Sequence, residues 1–156
     1  MIACNNLIMK TLLTFLATVV LASFFAGCTT TGPHYAAVID SFPPLAAGAG
    51  RIFVYRDAIY NPSKIPAVLL NGEQIGLSKA QGFFYVDQPA GAYKVELSGE
   101  NSPPAGFTLS PGQTLYARIG LHSTLTKNIQ YLEVVDADTA QRELTSCKYT
   151  GIGLRK

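Results

Sequence analysis

Three cysteines, Cys4, Cys28 and Cys147, and two histidines, His34 and His122, are the residues of this 156-residue chain best suited to nucleophilic or metal chemistry. A zinc site draws on several closely spaced nitrogen and sulfur ligands, and no histidine pair at i, i+4 spacing starts one. A Ser-His-Asp set assembles only in the fold, and no Gly-x-Ser-x-Gly elbow singles out a serine. Gly48-Ala-Gly50 and Gly151-Ile-Gly153 look like phosphate loops only superficially, because neither follows a strand and opens a helix. The carboxylates Asp57, Asp87, Asp136 and Asp138 fall at strand or helix ends, where turn bonding and capping account for them. The residues thus present no catalytic, cofactor-binding or metal-ligating set. They do present one cysteine in a telling position.

Cys28 follows an uncharged stretch, Thr11 to Ala26, that ends in Phe24-Phe25-Ala26-Gly27. Sixteen residues are short of the ~20 a spanning helix needs, but suit a signal-peptide core with Lys10 as its preceding charge. Met9-Lys10-Thr11-Leu12-Leu13 reads as the natural start of such a segment, which would discard Cys4. Two small residues before a cysteine, with a bulky apolar residue before them, resemble the lipobox of bacterial lipoproteins; Phe25 stands where leucine is commoner. The resemblance implies lipidation of the Cys28 sulfur, cleavage after Gly27 and acylation of the new amino terminus. Two acyl chains already anchor stably, so the implied partner is a membrane. Thr29, where no aspartate follows the cysteine, resembles lipoproteins passed on to the outer membrane, facing the periplasm. Cys147 then remains alone, and no disulfide forms within the mature chain.

Composition agrees with this division. The chain is 48% hydrophobic and 14% charged, against about 25% charged in an average domain. Nineteen of its first 27 residues are hydrophobic, so the excess sits at one end. The formal charge of +2, scattered without runs, excludes the concentrated basic face of a nucleic-acid binder.

The expected organisation is a signal peptide over 1–27, a lipidated N-terminus and flexible tether over 28–50, a folded domain over 51–149 and a tail over 150–156. The 22 residues from Thr29 to Gly50 are rich in small residues, proline and glycine. Extended at about 3.3 Å per residue they would hold the body tens of ångströms from a membrane, with Val38, Ile39 and Phe42 as points of attachment to it.

Beyond Gly50 the pattern is short strands between turns. Arg51–Arg56 and Ala67–Leu70 lead to Asn71-Gly72, a strong hairpin signal, with Ile75 and Leu77 expected on one face of the return. Gly82–Asp87 precedes Gln88-Pro89-Ala90-Gly91, which reads as a type I turn. Tyr93, Val95 and Leu97 alternate with Lys94, Glu96 and Ser98, which predicts an antiparallel sheet wet on one side. Phe107–Leu109, a type II turn at Ser110–Gln113, Thr114–Leu121 and Asn128–Val135 complete the strands. Asp138 to Gln141 resembles a capping box, and Ala140, Leu144 and Cys147 recur at helical spacing. Cys147 is therefore expected to be a buried, inert thiol. The Phe83-Phe84-Tyr85-Val86 run is expected to be covered on both faces or half-exposed, an exposed aromatic patch being a docking surface. The fold class expected is all-β and mainly antiparallel, a small β-sandwich with one short C-terminal helix.

Gly50-Arg-Ile-Phe-Val-Tyr-Arg56, Leu70-Asn-Gly72 with Ile75-Gly76, Gly82 to Val86 with Pro89-Ala-Gly91, and Thr114-Leu-Tyr116 resemble the bacterial family called domain of unknown function 2846, over roughly residues 42 to 148. Ala90 departs from it, standing where a second proline is usual. The same order of motifs looks like PEGA-type surface modules, which implies a transthyretin-like sandwich. The resemblance implies an exported domain and carries over no reaction. The function expected is a non-enzymatic, lipid-anchored envelope module with a structural or partner-binding role, an envelope protein being its further partner. The alternatives are an envelope hydrolase acting on cell-wall or lipid substrates, and a single-pass membrane protein.

Overall fold

A computed structural model describes residues 30–60 and 65–151; the segment expected to be a leader, and Cys28, lie outside them. Among the described residues nine strands form two sheets, with the order β8-β7-β1-β4-β9 in one and β3-β2-β5-β6 in the other. The first holds β1 (Ala49–Arg56), β4 (Gly82–Pro89), β7 (Thr114–Ser123), β8 (Asn128–Val135) and the two-residue β9 (Lys148–Tyr149). The second holds β2 (Ala67–Leu70), β3 (Glu73–Leu77), β5 (Gly91–Leu97) and β6 (Ala105–Leu109). Pairing is antiparallel except for β1 with β7 and β4 with β9. The chain is an all-β sandwich, mainly antiparallel, with a short C-terminal helix.

The core between the sheets takes alternate residues from each: Ile52 and Val54, Val68 and Leu70, Phe84, Val95 and Leu97, Leu115, Ala117 and Ile119. The four-stranded sheet is wet on its other face, as the alternation of β5 requires. The five-stranded sheet is not. Phe53, Tyr55, Phe83 and Tyr116 point away from the inter-sheet core into a second cluster with Ala140, Leu144 and Cys147. The Phe83–Val86 run is therefore covered on both faces, and the alternative of an exposed aromatic patch there gives way to a second core.

Two short helices supply that cover. In α1 (Tyr35–Val38), continued by a 3-10 turn over Ile39–Ser41, the aromatic and aliphatic side chains pack on the sheet together with Phe42. Tyr35 meets the Phe83 ring edge-on at 5.4 Å, and Phe42 lies 4.5 Å from the Tyr85 ring centroid. Here the structure differs from the reading of 28–50 as tether. Thr30 donates its hydroxyl to the Ala80 carbonyl, and the Tyr149 amide donates to Pro33 at 2.8 Å. From Thr30 onward the chain is on the body, so a stand-off of tens of ångströms is not open to it. Val38, Ile39 and Phe42 attach as expected; what the sequence does not show is that the attachment runs back through Tyr35 to Thr30.

The second cover is α2 (Ala137–Leu144). Its N-cap is Asp136, whose side chain accepts the Thr139 amide at 2.9 Å, two residues earlier than the Asp138 box suggests. Ala140 and Leu144 are its buried stripe, and Cys147 joins the same cluster just past its end.

Local departures have local causes. The hairpin turns at Asn71 (φ 50°) and Gly72 (φ 85°), both left-handed as a two-residue turn requires. A register shift between Val68 and Leu69 and the edge position of β3 leave Leu77 exposed while Ile75 is buried. The chain between β4 and β5 does not make a type I hairpin. It bends at Ala90 and passes from one sheet to the other, held by the Ala90 amide donating to Gly48 at 3.0 Å. Among the described residues no helix is long and apolar enough to cross a membrane.

Replacing Gly72 by Val forces a β-branched residue to positive φ where no neighbour is in the way. The strain should cost more than about 1 kcal/mol, read as a lower urea midpoint at unchanged slope. An unchanged midpoint would contradict the turn.

Candidate functional site

Two arginines on the five-stranded sheet, Arg51 and Arg118, are held in ion pairs that join its layers. Arg51 faces Asp87 across β1 and β4 and grips it with two bonds, Nε to Oδ1 at 2.7 Å and Nη2 to Oδ2 at 2.8 Å. Its Nη2 also donates to the Pro43 carbonyl at 2.7 Å, and the guanidinium sits 4.4 Å from the Tyr85 ring centroid. The pair with Asp87 holds the Arg51 pKa up, and the whole acts as a clamp on the 42–43 segment. Arg118 works likewise for α2. It faces Glu133 across β7 and β8, bonded at 2.5 Å, and reaches Glu143 on the helix at 2.7 Å. The other oxygen of Glu143 accepts the Tyr55 hydroxyl at 2.6 Å. Burial, then the Glu143 bond, keeps that phenol protonated well beyond its ordinary range.

One buried cluster has a different character. Arg56, at the last position of β1, continues the inward register of Ile52 and Val54 and lies 1% exposed at the end of the inter-sheet core. Its Nη1 donates to Gln130 Oε1 of β8 at 3.0 Å and lies 3.4 Å from Ser78 Oγ. Ser78, just past β3, donates to the same Gln130 oxygen at 2.5 Å. The cluster therefore ties β1, β8 and the end of β3, and so both sheets, at one end of the sandwich. Among the described residues Arg56 Nε and Nη2 and Gln130 Nε2 are buried with no acceptor. Burial without a carboxylate pushes the Arg56 pKa down. This is the most unusual polar feature of the fold, and periodicity gave no sign of it, because an arginine at a strand end reads as exposed. Its chemistry is that of a surplus of donors. Ser78 has an amide for its partner and no histidine, so nothing among its bonds would activate it as a nucleophile.

The residues singled out by sequence do not converge. His34 bridges to Lys148 beside β9, whereas His122 is on β7, at least three strand spacings away, about 14 Å. Asp57 leaves β1, Asp87 is held by Arg51, and Asp136 and Asp138 belong to the first turn of α2. Among the described residues no three His, Cys, Asp or Glu side chains gather as a metal site. Cys147 is fully buried and free, its thiol against the Arg56 carbonyl at 3.7 Å and the Glu143 carbonyl at 3.8 Å. Cys28 lies outside the described residues.

Two expected outcomes follow from these environments. Arg56→Met keeps the volume and removes an unpaired buried cation, so it should raise stability by about 1 kcal/mol or more; a lower urea midpoint would show that the charge has a favourable partner. Burial pushes the Cys147 thiol from an ordinary 9.0 up to about 12, and burial together with Tyr116 pushes the Tyr35 phenol from 10.0 up to about 12. Both protons are held more tightly folded than unfolded, so stability is fully present below pH 9 and is lost as pH rises from about 9 towards about 12. In Cys147→Ala the onset of that loss should move from about 9 to about 10, where tyrosine alone begins to titrate, in urea midpoints measured across the alkaline range.

No family model, no curated protein and no solved structure matches this chain.

Proposed function

We propose that this protein is a lipid-anchored lipoprotein of the bacterial envelope, carried on the outer membrane and facing the periplasm, whose sandwich is a non-enzymatic structural or partner-binding module. The lipobox-like Phe25-Ala26-Gly27-Cys28 behind an uncharged apolar segment carries the reading. The route of the following chain supports it. Thr30 is already bonded to the body at Ala80, so a folded domain begins directly after the residue that would bear the lipid. The resemblance to domain of unknown function 2846 supports an exported module of this kind.

The absence of an enzymatic role is a reading of how the polar side chains are used. Asp87, Glu133, Glu143 and Asp136 hold arginines or a helix cap, and the Cys147 thiol is out of solvent with its pKa raised. Groups already committed to holding layers together are poor proton carriers, because moving a proton would break the joint.

Palmitate fed to cells should label the protein, and the mature mass should correspond to loss of residues 1–27 with three acyl chains added. In Cys28→Ala both label and cleavage should be lost. Label that persists in the variant, or a mature mass that retains the leader, would overturn the reading.

A further inference from the structure

The sandwich has two ends, and among the described residues its large exposed hydrophobic side chains are concentrated at one of them. β1 and β7 run parallel, so the loop after Arg56 and the hairpin after Ser123 leave the sheet at the same end. Gly82 pairs with Arg56, which brings the β3–β4 connection there. Val68 pairs with Leu97 and Ala67 with Leu77, so β2 enters, and β3 and β5 leave, at that end too. Of the five large hydrophobic residues exposed among those described, Ile59, Ile65, Leu77 and Leu125 belong to it, and only Val134 lies elsewhere. Ile59 is 74% exposed and Leu125 wholly so.

Leu125 is presented rather than merely left out. β1 ends at the level of Ile119, and β7 continues four residues to Ser123, about 13 Å further. The hairpin tip is closed by the Thr124 amide donating to the Lys127 carbonyl at 2.7 Å and the Lys127 amide donating to Thr124 Oγ1 at 3.0 Å. A short, internally bonded tip thus carries an apolar side chain outward with a lysine beside it. A lysine so placed can lay its stem on an apolar phase and keep its charge among anionic headgroups.

The chain that leads to Cys28 leaves from the same end. Thr30 is bonded to Ala80 in the β3–β4 connection, and Tyr35 donates its amide to the Cys147 carbonyl at 3.2 Å, beside the start of β9. Cys28 is two residues before Thr30, and two residues reach at most about 7 Å. Acyl chains on Cys28 would therefore hold this end, and not the opposite end made by Asn71-Gly72, Pro89-Ala90 and Ser110–Gln113, at the bilayer.

We infer that the loop end of the sandwich is a lipid-contact surface, with Leu125, Ile59 and Ile65 entering the membrane interface and Lys127 meeting anionic headgroups. The inference rests on the lipid anchor proposed above. Anchor and body then form one unit: the acyl chains give residence and the loop residues give a fixed orientation, with the wet face of the four-stranded sheet along the membrane normal.

Lipidated protein carrying Leu125→Cys or Pro111→Cys, labelled with an environment-sensitive fluorophore, tests this in vesicles of phosphatidylethanolamine and phosphatidylglycerol. The parent chain, with Cys28 acylated and Cys147 buried, is the blank. The label at 125 should be quenched several-fold more by acyl chains brominated in the bilayer than the label at 111, and several-fold less by aqueous iodide. Equal behaviour at the two positions in protein shown to be acylated overturns the inference and leaves the anchor standing. Shielding from iodide without quenching by brominated lipid means that a second copy or another protein covers this end, and overturns it too. Absence of acylation refutes the anchor itself.

Discussion

A sheet that is apolar on both faces must be covered twice, and this requirement organises the molecule. β1 and β4 place Ile52, Val54 and Phe84 on one side and Phe53, Tyr55 and Phe83 on the other. The four-stranded sheet covers the first face. The second, dominated by rings that each remove a large apolar area from water, is left to whatever chain remains outside the strands. That chain is the N-terminal segment through Phe42 and the C-terminal helix, and both lie on it.

This cover sets the path of both termini. With Tyr35, Val38, Ile39 and Phe42 on the aromatic face, the preceding residues are drawn beside β9 to Ala80. The C-terminal helix runs back across the same face to Cys147 and delivers β9 to the free edge of β4. Arg51 and Arg118 then lock the two covers in place, one on the Pro43 carbonyl and one on Glu143. Arg51, Asp87, Arg118, Glu133 and Glu143 are thus charges used as joints between layers. If Cys28 bears lipid as proposed, the end at which Thr30 meets Ala80 is the one nearest the membrane.

Much of the framework was legible locally. The Asn71-Gly72 turn, the alternation of Tyr93, Val95 and Leu97, the Ser110–Gln113 turn with Gly112 at positive φ, and the buried stripe Ala140, Leu144 and Cys147 all rest on interactions within a few residues. What was not legible rests on partners far along the chain. The passage between sheets at Ala90 resembles a hairpin turn in sequence, because Pro and Gly mark a change of direction without saying which sheet receives it. The parallel pairing of β1 with β7 joins strands more than fifty residues apart. Arg56 is buried because Ser78 and Gln130 come to it from the other sheet and another strand.

By itself the amino-acid sequence determined the fold class, the positions of most strands and the burial of Cys147, and it carries the lipobox resemblance at Cys28 on which the proposed function rests, since periodicity, turn chemistry and short motifs are properties of neighbouring residues. Only the tertiary structure decided that the five-stranded sheet has a second core, that residues 30–42 are packed and not a free tether, and which end of the sandwich the N-terminal chain leaves. Those depend on apolar area that exists only once the strands have assembled: until Phe53, Phe83 and Tyr116 share one face, Tyr35 and Phe42 have nothing to bury against.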